Sequence, residues 1–154
     1  MTTPVALTDL DWAVRHFVYT FFVENARPPS VMEAAVHFAL PEAEARASYQ
    51  RLNARHHLFL EPGTDTIRLA NPLSAVPTRY RVRVQGHDLW ANCAWDSLGI
   101  PAMLGADATV EARDPLSEAP ITYAVHDGQL VIDPGYFMHF PLPAARWYDD
   151  LVFT

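Results

Sequence analysis

Apolar side chains recur at helical spacing from residue 8 to residue 25. Trp12, Val14, Phe17, Val18, Phe21 and Phe22 cover more than one face, which predicts a largely buried helix. Thr8 stands three residues before Asp11, a variant of the capping box that starts such a helix. After Arg27-Pro28-Pro29, Ser30 is a good N-cap for a second helix over 31–40, and Pro41 opens a third over 42–57. Acids in the first turn of that helix and Arg55, His56 and His57 in its last turn suit the helix dipole. The stretch LFLEPGTDTIRLA then reads as two short strands around a Pro62–Gly63 turn. Three helices followed by a hairpin predict a winged-helix-like module over residues 1–70.

The pattern changes after NPLSAVP, residues 71–77, whose two prolines and turn residues predict a linker. TRYRVRV alternates, with Arg79, Arg81 and Arg83 on one face and Tyr80, Val82 and Val84 on the other, as in a half-solvated strand. A helix is expected over 88–98, ended by Gly99 and Pro101. ATVEARD, ITYAVHD and QLVID read as strands, the last two joined by a tight Asp127–Gly128 turn. YFMHFPL is a weaker strand signal, and the closing PAARWYDDLVFT fits either helix or strand. The fold class is therefore α+β: a three-helix N-terminal module packed on a small mixed-sheet C-terminal domain over 78–154.

Composition narrows the function. Of 154 residues, 50% are hydrophobic and 19% charged, a globular balance. The net charge of −7 gives no overall pull toward nucleic acid or anionic lipid. The N-terminal module is itself neutral, with Arg27, Arg46, Arg51, Arg55 and Arg68 matched by as many acids over 27–70. A scaffold role is favoured over DNA binding. No apolar run reaches the roughly 20 residues that span a bilayer, and the first residues carry acids where a secretory signal carries bases. A cytoplasmic protein without membrane partners is expected. Its single cysteine, Cys93, excludes an intramolecular disulfide and any multi-thiolate metal cage.

Cys93 also anchors the densest chemical constellation, Trp90-Ala91-Asn92-Cys93-Ala94-Trp95-Asp96. On a helix, positions three apart share a face, so Cys93 and Asp96 can enter one pocket as nucleophile and proton carrier. Trp90, Asn92 and Trp95 would shape that pocket. Spacing alone leaves a plainer reading open, with Cys93 a small buried hydrophobe and Asp96 a polar residue near a helix end. His87 and His126 are further acid or base candidates. No His pair or Cys/His cluster predicts a zinc site, and Asp149-Asp150 reads as a solvated pair. The chain has no phosphate-binding loop, serine elbow or dinucleotide fingerprint.

The run LWANCAWDSLGIPAMLG resembles the signature helix of the alkylmercury lyase (organomercurial lyase) family, and residues 114–143 resemble the strand pair that follows it. The resemblance implies a cofactor-free enzyme acting on a small molecule. Cys93 would capture substrate mercury as a thiolate, and Asp96 would handle the proton that ends on the leaving carbon. A polarisable sulfur suits a soft metal. The family uses a second cysteine, and its position falls on Thr154. With one thiol in the sequence, three readings stay open: drift to other chemistry, a chain truncated after Thr154, or an external small thiol as partner. Alternative functions are the same fold acting on a metal-free small molecule in secondary metabolism, and a ligand- or metal-responsive winged-helix regulator.

Overall fold

The computed structural model describes residues 6–140, 142–143 and 146–147, and the chain divides into two compact units, residues 1–76 and 77–154. The first unit contains α1 (Asp9–Asn25), α2 (Val31–Phe38) and α3 (Glu42–Ala54), then β1 (Phe59–Leu60), β2 (Ile67–Ala70) and β3 (Leu73–Ser74). Both expected caps form. Thr8 Oγ1 accepts from the Asp11 amide while Asp11 Oδ2 accepts from the Thr8 amide, and Ser30 and Glu33 repeat the arrangement on α2.

Asp11 does more than cap. Its fully buried carboxylate accepts Ser48 Oγ at 2.6 Å and Arg51 Nη2 at 2.7 Å, both from α3. Burial alone would raise this carboxyl, but the hydrogen bonds from Arg51, Ser48 and Thr8 outweigh it and hold the group far below the usual carboxylate range. The folded-state pKa is thus depressed below the unfolded one. The associated stability is present above the ordinary Asp value of about 3.9 and is lost as pH falls through and below it. Asp11→Ala is expected to cost about 2–4 kcal/mol in urea unfolding at neutral pH, because Arg51 and Ser48 lose their partner. A loss under about 0.5 kcal/mol would show the network to be incidental.

Three expectations for this unit change. The first helix is amphipathic rather than largely buried: Val14, Val18 and Phe22 form one inward stripe at intervals of four, while Trp12 is exposed and Phe17 and Phe21 are half-buried. The third helix stops at Ala54, three residues early, because His56 takes a left-handed conformation (φ 58°) and the His57 amide turns back to Leu52 O. The stretch 71–77 is not a plain linker, since Leu73 and Ser74 pair antiparallel with Ala70 and Leu69 as β3.

The second unit contains β4 (Tyr80–Val84), β5 (His87–Ala91), α4 (Ala94–Leu104), β6 (Ala108–Arg113), β7 (Pro120–His126) and β8 (Gln129–Val131). Its strands lie in the order β5-β4-β6-β7-β8. Every pair here is antiparallel, so the α+β class holds while the expected mixed sheet resolves into antiparallel pairs. The cause is the α4 connection. It leaves β5 and returns as β6 on the other side of β4, so the two parallel strands never become neighbours.

The helix expected over 88–98 is not formed. Residues 87–91 are β5, paired with β4 through Tyr80↔Ala91, Val82↔Leu89 and Val84↔His87. Gln85 and Gly86, both at positive φ (50° and 82°), make the two-residue turn between them. Cross-strand pairing buries Leu89 and Ala91 and overrides the weak helical preference of the stretch. The helix begins six residues later and runs through Gly99 and Pro101 to Gly105, whose left-handed φ of 58° ends it. Residues 136–140 form no strand: they follow a turn at Pro134–Gly135, and Tyr136, Phe137, Met138 and Phe140 are exposed. Asp149, Asp150 and Thr154 lie outside the described residues.

On the inner face Val82, Val84, Leu89, Ala91, Val110 and Tyr123 are buried, and α4, with Ile100 fully buried, lies against β4 and β5. The outer face carries the arginine stripe, neutralised across strands by Arg81–Asp88 (2.7 Å), Arg83–Asp88 (3.0 Å) and Arg81–Glu111 (3.6 Å), with Arg79 on Glu118. It is a solvated, charge-matched surface.

Candidate active site

The chain leaves β5 at Ala91, bends at Asn92, and enters α4 with Cys93 at the N-cap in extended form (φ −144°, ψ 179°). Asp96 is then the third residue of the helix. Cap and third position face each other at any helix start, as in a capping box. Here they bring Cys93 Sγ and Asp96 Oδ2 to 3.4 Å, with the thiol donating. The two residues meet as expected, but across the mouth of a helix rather than along its side.

Both groups are half-buried, and both titrations are displaced. Burial pushes the Cys93 thiol up to about 11, helped by the Asp96 charge and opposed by the Asp96 and Trp95 backbone amides. Burial likewise lifts the Asp96 carboxyl to about 6, against the hydrogen bond from Cys93. At neutral pH the pair therefore holds one proton, on sulfur, beside a carboxylate ready to receive it. A soft electrophile binding the sulfur would drive that proton onto Asp96.

Tyr80 of β4 and Tyr123 of β7 project from the inner face toward this end of α4. Burial raises both phenols, and the charge of Cys93 adds to the effect. Tyr123 OH lies 2.6 Å from Ser97 Oγ, one residue beyond Asp96. No spacing motif in the sequence ties Ser97 or either tyrosine to Cys93. The signal available is a different one: Tyr123 is the polar member of an inward-facing alternation in ITYAVH, and such a buried hydroxyl needs a partner.

The other candidates divide. Asn92 is half-buried between β5 and Cys93. Trp95 is 57% exposed at the rim, its ring 6.2 Å from that of Phe140, which stacks on Trp147 at 5.3 Å. Trp90 is not brought to Cys93 by its strand: alternation puts it opposite Arg81, on the sheet face away from Leu89, Ala91 and α4. His87 starts β5 at the end remote from Cys93. His126 bonds Asp107 at the exposed β7–β8 corner, where Asp127 completes an open three-residue group able to approach a cation. Neither histidine serves the thiol. The soft ligand at the site is the Cys93 sulfur.

Comparison with known proteins identifies the fold and the family. The mercury-bound form of MerB2 is a similar solved structure, with a TM-score of 0.66 and 21% identity over 81% of this chain. At that identity the likeness establishes the fold, and this chain spans 60% of the length of that one. No curated protein matches. Residues 73–154, more than half of the sequence and including β4 to β8 and the Cys93–Asp96 pair, match the family described as alkylmercury lyase, and the chain belongs to that family.

Proposed function

We propose that the protein is an alkylmercury-lyase-type enzyme that cleaves the carbon–mercury bond of small organomercurials, with residues 78–154 carrying the chemistry. The observation that carries this reading is the 3.4 Å contact between Cys93 Sγ and Asp96 Oδ2, one proton shared between a soft nucleophile and a buried carboxylate. In the first step sulfur bonds to mercury, the ligand opposite the organic group leaves as an anion, and the thiol proton moves to Asp96. In the second step a thiolate bonds to the same mercury, the carbon–mercury electron pair takes the Asp96 proton, and the hydrocarbon departs. Asp96 is then again a carboxylate, and mercury is held between two sulfurs.

Within residues 1–154 Cys93 is the one cysteine, and in this reading a small external thiol supplies the second sulfur. Hydrocarbon release from phenylmercury, followed by gas chromatography, is expected to be slow in plain buffer and to accelerate about tenfold or more when a small thiol is added. Rapid single-turnover release without thiol would show that one sulfur suffices. No release at any thiol concentration would remove the lyase assignment. This chemistry suits the reducing cytoplasm, and no described helix is long and apolar enough to cross a membrane.

The N-terminal unit acts as scaffold in this reading. In its helices and hairpin Arg46 pairs with Glu42 and Asp65, Arg51 with Asp11, and Arg68 with Glu61, while Arg15 of α1 lies on Tyr19, so much of the module's positive charge is matched by acids rather than offered to phosphates. Gel retardation at physiological salt is expected to show only weak, non-selective DNA binding. Sub-micromolar, sequence-selective binding would favour a regulator instead.

A further inference from the structure

Helix α4 starts on a residue that caps poorly. Cys93 forms no regular cap hydrogen bond: it meets the Asp96 and Trp95 amides only through sulfur, a weak acceptor compared with the oxygens that usually fill this position. Yet the Cys93–Asp96 contact depends on the shape of this first turn. The order is supplied from Ser97, which is fully buried. Its amide donates to Cys93 O at 3.0 Å, and its Oγ donates to Ala94 O at 2.6 Å. A serine hydroxyl has one proton, and Ser97 has given it to Ala94. The 2.6 Å contact with Tyr123 must therefore run from the tyrosine O–H to Ser97 Oγ. A continuous line from Tyr123 through Ser97 to Ala94 ties the centre of β7 to the first turn of α4.

This line is not needed for adhesion. Tyr123 is only 9% exposed on a face whose buried neighbours Val82, Val84, Leu89, Ala91 and Val110 are apolar, and α4 already lies against β4 and β5 with Ile100 fully buried. Apolar side chains would hold the layers together as well. Two buried hydroxyls in such a place satisfy each other and add direction, which hydrophobic contact lacks.

We propose that Ser97 and Tyr123 are positioning residues for the Cys93–Asp96 pair, their hydrogen bond fixing the first turn of α4 on β7 so that the carboxylate stays against the sulfur. The inference takes its functional meaning from the lyase reading, but its test does not use mercury. Cys93 is alkylated with iodoacetamide across a range of pH. The titratable groups whose charge reaches it are Asp96 from α4, Tyr80 from β4 and Tyr123 from β7.

In Tyr123→Phe, which deletes one oxygen and keeps the ring, Asp96 is released and its charge no longer opposes the thiolate. The inflection is expected to fall by about one pH unit, with alkylation about tenfold faster at pH 8. Ser97→Ala should give the same shift, and Ser97→Thr, which keeps the hydroxyl, should restore the wild-type profile. Should Ser97→Ala fail to fold, the milder Tyr123→Phe carries the test. In an Asp96→Asn background Tyr123→Phe should change nothing further, since the contact it protects is already gone. Lower melting temperatures with an unmoved inflection would overturn the proposal. So would an equal acceleration in the Asp96→Asn background, which would signal general loosening. If the inflection moves as expected while the wild type cleaves no organomercurial, the positioning role stands and the lyase reading falls.

Discussion

Cys93→Ser is expected to abolish uptake of organomercurial, from one equivalent per chain to none, in equilibrium dialysis or mass spectrometry with phenylmercury. The size of the effect follows from the absence of any other thiol in the sequence. A serine hydroxyl is a hard ligand with little affinity for mercury, and half-buried beside a carboxylate it has no route to ionisation near neutral pH. Uptake by the wild type should weaken below pH 6. There Asp96 becomes protonated and can no longer receive the proton that Cys93 must give up. Full uptake by Cys93→Ser would place capture elsewhere and remove the basis of the mechanism. A wild-type Cys93 inert to both mercury and alkylating agents would leave an inherited fold without the inherited chemistry.

Asp96→Ala and Asp96→Asn should separate capture from cleavage. Uptake at Cys93 is retained because the sulfur remains, and removing the neighbouring negative charge makes its thiolate easier to form. Hydrocarbon release in the presence of small thiol is expected to fall about 10²–10⁴-fold, the usual contribution of a positioned proton donor. The same substitution carries a stability signature of opposite sign. Asp96 titrates at about 6 in the folded protein, above its ordinary value of about 3.9, so the folded state binds the proton more tightly. The carboxyl is therefore best tolerated at low pH, and stability falls as pH rises from about 4 to about 6. Asp96→Asn should remove that dependence and leave the protein about 1–3 kcal/mol more stable at neutral pH. Under the proposed mechanism, a carboxylate kept where burial disfavours it exchanges stability for function. A stabilised variant with unimpaired cleavage would show that Asp96 is not the proton donor.

The capping signals at Thr8 and Ser30, the alternation of TRYRVRV and the Asp127–Gly128 turn are local. They require only near neighbours, and each structure formed where the residues indicate. The same holds for the proximity of Cys93 and Asp96, because a spacing of three brings side chains together both along a helix and across its cap. That coincidence makes the pair legible in the sequence even though the helix starts at Ala94, six residues later than the pattern predicts. The secondary structure of 87–91 was not legible in this way. Its fate depended on a two-residue Gln85–Gly86 turn and on β4 offering Tyr80, Val82 and Val84 as partners.

What the tertiary structure alone decided is how the pair is held and how it titrates. Trp90 and Cys93 are neighbours in sequence, but strand alternation sends Trp90 to the face away from α4. Tyr123, thirty residues from Cys93, is brought to Ser97 by the register of β6 and β7. The displaced titrations of Cys93 and Asp96 likewise come from burial, a property of the assembled unit. Spacing along a chain specifies which side chains share a helix turn. Desolvation and the direction of a hydrogen bond exist only once distant strands close over that turn, and those set how a thiol and a carboxyl there titrate.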